Sequence, residues 1–261
     1  MDTPKKSLGQ HWLNDQESLK AIVRLAHVTK EDTILEIGPG PGSLTRLLAA
    51  QARHVVAVEL DRDLAYVLKA RVDADNVEVV EQDILTFDLR RLPTGYKVVA
   101  NIPYYLTSKL IRTLLEAPNR PTIVVLLIQK EVAERLTAKP GSLSILGVSA
   151  QFYADVELGP IVPAGLFKPP PEVDSQVVAL RLREAPLFSD ITPKEYFRVV
   201  RAGFSEKRKK LRSSLSGGLA ISKDQADRLL ESAHIRPDAR AQELTLEEWA
   251  GLTREFKNPA I

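Results

Sequence analysis

Short apolar runs alternate with helical patterns over the first 137 residues of the chain. Runs rich in Val, Ile and Leu predict five strands, at 33–37, 55–59, 77–81, 97–100 and 123–128. Apolar residues spaced three or four apart predict helices at 16–26, 62–71, 106–115 and 130–137. Strands that alternate with helices predict an α/β fold, in which helices cover both faces of a parallel sheet.

After residue 137 the pattern changes. A further helix is predicted at 143–152, and apolar runs follow at 154–162 and 176–182. The loop between these two runs is rich in proline, which is typical of a rigid turn. We expect the two runs to add an antiparallel pair of strands to the sheet.

The last part of the chain is predicted to be helical. Pro186 and Pro193 mark a linker, and helical patterns follow at 194–204, 206–215, 223–233 and 246–256. The sequence therefore predicts two domains, a catalytic α/β domain at 1–185 and a small all-helical domain at 186–261.

A strand, a glycine-rich turn and a helix follow one another near the start of the chain. The strand at 33–37 leads into Gly38, and glycine recurs at every second position up to Gly42, with proline between. Glycine lets a ligand approach the backbone where a Cβ would clash. The next strand ends in Glu59, and a carboxylate at that place commonly binds the ribose hydroxyls of a nucleoside cofactor. These residues predict a nucleoside-cofactor site.

The spacing of the glycines distinguishes two classes of cofactor. The dinucleotide fingerprint needs a third glycine at the position that Ser43 holds, and Glu36 adds negative charge where a pyrophosphate would lie. S-adenosylmethionine carries a cationic centre and an amino group, which suit that charge better. We therefore expect S-adenosylmethionine, and a nicotinamide oxidoreductase is the more distant alternative.

Asn101, Ile102, Pro103 and Tyr104 directly follow the fourth predicted strand. The amino nitrogen of adenine is a poor nucleophile because its lone pair is delocalised into the ring. The Asn101 side-chain oxygen and the Ile102 carbonyl can accept its two hydrogens. Pro103 fixes the turn, and Tyr104 offers a ring on which the base can stack. This segment predicts methyl transfer to an exocyclic base nitrogen, and the alternative is an Asn-Pro turn with a core tyrosine.

Asp83 follows the third predicted strand, on the same edge of the sheet as Glu59. Because the carboxyl ends of parallel strands line one crevice, Asp83 can accept a hydrogen bond from the adenine amino group of the cofactor. A role in capping a turn is the alternative interpretation.

Composition excludes several classes of site. The chain has 261 residues, four scattered histidines and no cysteine, so disulfides and thiolate metal sites are excluded. The sequence contains no apolar stretch long enough to span a bilayer and no signal-peptide pattern. We expect a soluble, cytoplasmic protein that needs no metal. The net charge is only +2, but basic residues crowd the segment 207–212.

Several segments resemble, in the same order, those of the ribosomal RNA adenine dimethyltransferase family. The resemblance runs from about residue 5 to residue 216 and is closest to the small-subunit enzymes of the family. The segments that carry it are 6–13, 36–40, 59–61, 83, 101–104, 129–135, 167–175 and 201–215. The segment 101–104 reads Asn-Ile-Pro-Tyr, and 167–175 reads Phe-Lys-Pro-Pro-Pro-Glu-Val-Asp-Ser.

The resemblance implies a fold, a reaction and a substrate. The fold is the Rossmann-like sheet of S-adenosylmethionine-dependent methyltransferases with a small helical C-terminal domain. The reaction is N6,N6-dimethylation of two adjacent adenines in the 3′-terminal hairpin loop of small-subunit (16S) ribosomal RNA. A role in small-subunit maturation, a pre-30S particle as the partner and a monomeric enzyme are also implied.

Two alternatives stay open beside this interpretation. The large-subunit (23S) rRNA adenine methyltransferases share the motifs through residue 104. The loop 167–175 and the long basic C-terminal segment favour the small-subunit enzyme. A non-catalytic assembly factor would only bind the ribosomal particle, and the intact segment 101–104 argues against it.

The resemblance also implies roles for individual residues. Six residues would bind the cofactor: His11, Leu13, Gly38, Glu59, Asp83 and Asn101. Tyr104 and Phe167 would hold the target adenine after it leaves its stack. Many family members have Asn at the position of His11 and most have Phe at that of Trp12. Either ring nitrogen of His11 can replace an amide contact, and Trp12 keeps an aromatic face.

An RNA substrate changes the interpretation of the basic segment. Its basic residues are Lys207, Arg208, Lys209, Lys210 and Arg212. Such a run is commonly a solvated helix face, but beside an RNA substrate it becomes a predicted contact for phosphates.

Overall fold

The structure is a computed structural model that describes residues 3–206 and 208–257. Its contacts group the chain into two compact units. The sheet unit consists of Met1–Glu134 and Ala154–Arg183, and the helical unit consists of Arg135–Tyr153 and Glu184–Ile261.

The described residues form nine strands and ten α-helices. The strands are β1 (Trp12–Leu13), β2 (Thr33–Ile37), β3 (His54–Glu59), β4 (Val77–Glu81), β5 (Lys97–Asn101), β6 (Ile123–Gln129), β7 (Ala154–Val162), β8 (Phe167–Lys168) and β9 (Ser175–Leu182). The helices are α1 (Gln16–Leu25), α2 (Ser43–Gln51), α3 (Arg62–Val72), α4 (Thr107–Leu115), α5 (Lys130–Leu136), α6 (Ile145–Tyr153), α7 (Pro193–Gly203), α8 (Leu211–Leu219), α9 (Lys223–Ser232) and α10 (Leu246–Lys257).

Seven of the strands form one sheet in the order β4-β3-β2-β5-β6-β9-β7. The first five strands of this order are parallel, and β9 pairs antiparallel with both β6 and β7. The predicted α/β fold and its added antiparallel pair are confirmed. The order of the strands reverses between β2 and β5. In open α/β sheets, ligands bind at such a switch point, beyond the carboxyl ends of the strands.

The apolar runs became strands because both faces of the sheet are buried. In β6 every residue from Ile123 to Ile128 is buried, and in β5 Val98, Val99 and Ala100 have no exposed surface. Continuous apolar runs of this kind are typical of parallel strands covered on both sides. Only the polar ends, such as Asn101 of β5, leave this core and reach the ligand edge.

The helical unit includes a segment that the sequence assigned to the first domain. Phe152 of α6 stacks on Tyr196 of α7, with ring centroids 4.5 Å apart, and meets Phe197 edge-on at 5.1 Å. This aromatic cluster groups residues 135–153 with the C-terminal helices. The grouping differs from the predicted division into 1–185 and 186–261, because a helical pattern does not show which neighbours the helix packs against.

The helix predicted at 206–215 begins at Leu211 instead, so this prediction is wrong at its start. Lys210 occupies the N-cap position, and the Leu211 N–H donates to the Ala239 carbonyl at 2.8 Å. Like charges three or four positions apart destabilise a helix, and the segment 207–210 consists of basic residues only. Its described basic residues therefore lie on a turn before α8 rather than on a helix face.

Two features were sought and not found among residues 3–206 and 208–257. No helix there is long and apolar enough to cross a membrane. No group of three His, Cys, Asp or Glu side chains there could hold a metal ion. The cellular location and the metal requirement stay predictions.

Candidate active site

A cavity in the sheet unit lies at the carboxyl ends of the parallel strands, at the switch point of the sheet. Every predicted cofactor and catalytic residue lines it: His11, Leu13, Gly38, Glu59, Asp83, Asn101, Ile102, Pro103, Tyr104 and Phe167. Trp12 and Glu36 line the same cavity. The fold thus brings together residues from four strand ends and from both ends of the catalytic part of the sequence.

The glycine turn (38–42) connects β2 to α2. Its glycines have positive φ angles of 65°, 55° and 87°, a region that favours glycine. Their N–H groups donate to the carbonyl of Val58 (2.9 Å), to Oε2 of Glu59 (3.0 Å) and to the carbonyl of Pro39 (3.0 Å). The two prolines of the turn have no N–H to donate. Since a pyrophosphate needs such donors, the turn is unsuited to a dinucleotide.

Glu59 is the last residue of β3 and is 5% exposed. Its Oε2 accepts the Gly40 N–H at 3.0 Å, and its Oε1 accepts the Asp61 N–H at 2.8 Å. Burial raises the pKa of the carboxyl, and these two backbone donors oppose that rise. Each carboxylate oxygen keeps a further lone pair, so both can also accept a hydroxyl. The side chain is therefore held rigidly with two acceptors available.

Glu36, inside β2, is the most buried acid of the cavity, at 1% exposed. Its Oε2 has no hydrogen-bond partner among the described residues. Burial raises the pKa of Glu36 to about 8, and the negative charge of Glu59 adds to the rise. A buried carboxylate needs a positive partner to be stable. The site therefore fits a cationic ligand, and the sequence had indicated only the charge at this position.

Asp83 caps a turn as well as lining the cavity. It precedes the 3-10 helix Ile84–Thr86, and its Oδ1 accepts the Leu85 N–H at 2.9 Å. The turn-capping interpretation is therefore correct for one oxygen. A cofactor role for the other oxygen stays a prediction.

Asn101 is anchored by one end of its side-chain amide. Its Nδ2 donates to the His11 carbonyl at 3.4 Å. Because the amide nitrogen is engaged in this way, Oδ1 is the end that remains as an acceptor. The chain continues from Asn101 into the buried Ile102 and then into Pro103. The arrangement agrees with the geometry that the sequence predicts for holding an amino group.

Tyr104 is fixed at both its hydroxyl and its ring. The hydroxyl shares a 2.7 Å hydrogen bond with Oγ of Ser175, which is fully buried in β9. The His11 ring stacks on it with centroids 5.9 Å apart and planes 18° apart. Burial raises the pKa of the Tyr104 phenol, so the hydroxyl stays protonated near neutral pH. The sequence did not predict the bond to Ser175.

A two-stranded sheet that the sequence did not reveal holds the N-terminal segment over the cavity. β1 pairs antiparallel with β8, with Leu13 opposite Phe167. Phe167 is only 4% exposed. The Nδ1–H of His11 donates to the Pro169 carbonyl at 2.8 Å, so Nε2 is the ring nitrogen left for a ligand. The only signal in the sequence was the apolar pair at 12–13.

A polar contact also fastens the N-terminal segment to α3. The ammonium of Lys5 lies 2.7 Å from Oδ1 of Asp61 and 2.7 Å from Oδ2 of Asp63. The Gln10 amide donates to Oδ2 of Asp61 at 3.1 Å. Because Asp61 follows Glu59 by two positions, the same loop contacts both the ligand edge and the segment that covers it.

The basic segment lies in the helical unit, and its residues differ in their surroundings. Lys207 falls outside the described residues. Arg208, Lys209 and Lys210 are exposed, and Lys209 pairs with Glu206. Nε of Arg212 lies 2.6 Å from Oδ1 of Asp227, so acidic neighbours already engage that charge.

Comparison with known sequences gives consistent matches. The sequence model described as "Ribosomal RNA adenine dimethylase" matches residues 1–258. A protein named "Ribosomal RNA small subunit methyltransferase A" from Dehalococcoides mccartyi is 40% identical over 260 residues, which is 98% of this chain and 89% of that protein. A protein of the same name from Acaryochloris marina is 44% identical over 264 residues, which is 97% of each chain.

Two solved structures resemble the whole chain. A dimethyladenosine transferase from Plasmodium falciparum matches with a TM-score of 0.81 and 28% identity, covering 95% of this chain and 98% of that one. The 23S rRNA methyltransferase ErmE matches with a TM-score of 0.77 and 30% identity, covering 95% of this chain and 100% of that one.

Proposed function

Since the chain belongs to the ribosomal RNA adenine dimethylase family, we propose that it dimethylates N6 of two adjacent adenines in small-subunit ribosomal RNA. S-adenosylmethionine is the methyl donor of this family. The proposed substrate is the 3′-terminal hairpin loop of the RNA, inside a pre-30S particle. We propose that the enzyme acts as a monomer and takes part in maturation of the small subunit.

The anchored amide of Asn101 is the observation that carries this proposal. Its Nδ2 is engaged by the His11 carbonyl, which leaves Oδ1 as an acceptor at the mouth of the cavity. An acceptor fixed beside an exposed carbonyl and a tyrosine ring suits an aromatic amine better than a hydroxyl or a phosphate. The proposed substrate atom is therefore an exocyclic base nitrogen.

The chain's own acids fit the proposed cofactor. When bound, S-adenosylmethionine supplies an activated methyl group on a positively charged sulfonium. Glu59 is positioned to accept the ribose hydroxyls, and Asp83 to accept the adenine amino group. Glu36, which is buried and lacks a partner for Oε2 among the described residues, offers negative charge to the cationic part. His11, Leu13 and Gly38 complete the proposed contacts.

The proposed catalytic residues act on the geometry of the target base. Asn101 Oδ1 and the Ile102 carbonyl accept the two amino hydrogens and favour a pyramidal nitrogen with an available lone pair. Tyr104 and Phe167 hold the base after it leaves its stack, which reaching a stacked base requires. The methylated nitrogen is cationic and loses its proton readily, so a strong general base is not needed.

Two observations favour the small-subunit substrate over the alternatives. The relatives named for the small subunit match at 40–44% identity over nearly the whole chain, whereas the 23S enzyme matches at 30%. A non-catalytic binding factor would not need the engaged Asn101 or the buried acids of the cavity.

A comparison of the two ribosomal subunits tests the proposal. The protein is incubated with isotope-labelled S-adenosylmethionine and with unmethylated small or large subunits, and the nucleosides are analysed by mass spectrometry. We expect labelled N6,N6-dimethyladenosine from the small subunits only. Label on the large subunits, or on neither, would contradict it.

Cofactor affinity is expected to depend on pH through Glu36. Its pKa is about 8 in the free protein, and a cationic ligand favours the ionised form. Binding therefore releases a proton below pH 8, so affinity rises with pH up to about 8 and then levels off, by up to roughly tenfold per pH unit. Calorimetric titration at several pH values measures this.

Glu36→Gln is the matched variant for that titration. It keeps the shape of the side chain and cannot ionise, so the part of the pH dependence due to Glu36 should vanish. The titration of the ligand's own amino group is the same in both proteins and cancels in the comparison. Identical pH profiles would remove Glu36 from the account.

The basic segment is proposed to contact RNA phosphates. Replacing Arg208 and Lys210 with Gln should weaken binding to small-subunit particles and flatten its dependence on log salt by roughly 0.7–0.9 per lost contact. Filter binding over a range of salt concentrations measures the slope.

Arg212→Gln is the control for this measurement, because Asp227 already engages that side chain. It should change the slope less than either exposed position. Cofactor affinity should be the same in all the variants, which shows that the proteins are folded. A slope unaltered in the Arg208 and Lys210 variant would return the segment to a solvated surface.

A further inference from the structure

Trp12 has a buried hydrogen-bond donor that no described residue uses. Its indole lies against the glycine turn, with Nε1 and Cδ1 each 3.5 Å from the position that a Cβ would take on Gly40. The Nε1 atom is buried and has no partner among the described residues. A buried N–H without an acceptor destabilises a protein unless a ligand or water accepts it. Phe, common at this position in the family that the sequence resembles, has no such donor.

The start of α2 lies beside this donor and is also positive. α2 begins at Ser43 directly after the turn, and no described side chain caps its N-cap residue, Gly42. The first turn of α2 contains no acidic residue. The first N–H groups of a helix lack intrahelical acceptors and carry partial positive charge, which favours an anion. Two independent features of the same turn thus favour a negatively charged group.

The rest of the cavity disfavours such a group. Glu36, Glu59 and Asp83 line it with carboxyl groups, and the glycine N–H groups of the turn are all engaged within the protein. A carboxylate on the ligand is therefore repelled from most of the cavity and finds no backbone donor in the turn itself. The donors that remain are the Trp12 indole and the start of α2.

We propose that the Trp12 indole N–H and the N-terminus of α2 form a subsite for the carboxylate of the methionine moiety of S-adenosylmethionine. This inference rests on the proposed function, since it specifies how the cofactor of that function is held. It also places the two ends of the cofactor. Glu59 accepts the ribose on one side of Gly40, and Trp12 donates to the carboxylate on the other. Trp12 is a binding residue in this proposal and takes no part in the transfer.

Trp12→Phe and a decarboxylated ligand test the subsite together. Decarboxylated S-adenosylmethionine keeps the sulfonium, the amine and the nucleoside and lacks only the carboxylate. By calorimetric titration, Trp12→Phe should bind S-adenosylmethionine roughly tenfold more weakly than the unaltered protein. It should bind the decarboxylated compound with unchanged affinity. Equal losses for both ligands, or no loss for either, would overturn the proposal.

A second variant removes the donor and keeps the shape. Benzothienylalanine in place of Trp12 carries sulfur where the indole has its N–H, so packing against Gly40 is retained. It should show the same selective loss as Trp12→Phe, and full affinity for both ligands would overturn the proposal. If the unaltered protein bound neither ligand, the proposed function would fail with it. If it bound both and methylated RNA while Trp12→Phe did not discriminate, the subsite alone would fail.

Discussion

Asn101→Ala is expected to slow methylation by ~100-fold or more while binding of the ribosomal particle stays nearly intact. The loss of one hydrogen-bond acceptor aimed at the reacting group corresponds to ~2.7–4 kcal/mol of transition-state stabilisation. Stacking of the base on Tyr104 is unaffected by this change. Single-turnover assays with saturating S-adenosylmethionine measure the rate, since Asn101 is also a proposed cofactor contact.

Tyr104→Phe is the contrasting variant for this measurement. It keeps the ring and removes the 2.7 Å hydrogen bond to Ser175, whose hydroxyl is fully buried. The ring is the proposed contact with the base, so most of the activity should be retained, with a loss of roughly tenfold at most from a less firmly held ring. If this variant were as inactive as Asn101→Ala, the hydroxyl would have a role in the reaction that the proposal denies.

The second methylation is the stricter test of Asn101. After one transfer, the amino group has a single hydrogen left to offer to an acceptor. Loss of Asn101 Oδ1 then leaves the Ile102 carbonyl alone to orient the nitrogen. We expect the assays to resolve mono- and dimethyladenosine, with the monomethyl product accumulating in the variant.

Glu59→Ala is expected to weaken S-adenosylmethionine binding by roughly 100-fold or more. Two hydrogen bonds from the ribose to a carboxylate contribute ~1.5–3 kcal/mol each, and each 1.4 kcal/mol is about tenfold in affinity. The side chain also holds the N–H groups of Gly40 and Asp61, so its loss releases the glycine turn as well. Calorimetric titration measures the affinity, and thermal unfolding checks that the variant is folded.

Glu81→Ala provides the matched control. Glu81 ends the neighbouring strand β4 in register with Glu59 and is exposed. The same substitution one strand away should leave cofactor affinity unchanged. An equal effect at both positions would mean that overall charge, rather than a ribose contact, determines the affinity. Unchanged affinity in Glu59→Ala would remove the ribose assignment.

The sheet and its ligand edge could be predicted because they follow from local patterns. A strand buried on both faces must be apolar along its length, so the runs at 33–37 and 123–128 identified strands within a residue or two. Polar residues directly after such runs, such as Glu59 and Asn101, lie at the carboxyl edge of a parallel sheet. The cavity at that edge therefore follows from topology alone.

The remaining features depend on contacts between distant parts of the chain. β1 and β8 have two residues each, which is too short for a periodic pattern, yet their pairing brings Leu13 opposite Phe167. The Tyr104 bond to Ser175 and the Asn101 bond to the His11 carbonyl join residues 71 and 90 positions apart. The unpartnered donor of Trp12 is visible only once the glycine turn is folded against it.

The start of α8 could not be predicted because two local effects compete. The apolar spacing of Leu211 and Leu215 indicated a helix over 206–215, whereas repulsion among the charges at 207–210 favours a turn. The structure begins the helix at Leu211, after the charges. An exposed turn before a helix keeps the phosphate contact as a proposal and changes the surface that would make it.

Mapping the methyl groups on the RNA tests the central claim most directly. Unmethylated small subunits are treated with the protein and S-adenosylmethionine, and nuclease fragments of the RNA are weighed and sequenced by mass spectrometry. The account predicts that one fragment from the 3′-terminal hairpin gains methyl groups, two on each of two adjacent adenines, and that Asn101→Ala leaves it unmodified. Methyl groups on other atoms or other nucleotides, or an Asn101→Ala variant as active as the unaltered protein, would contradict it.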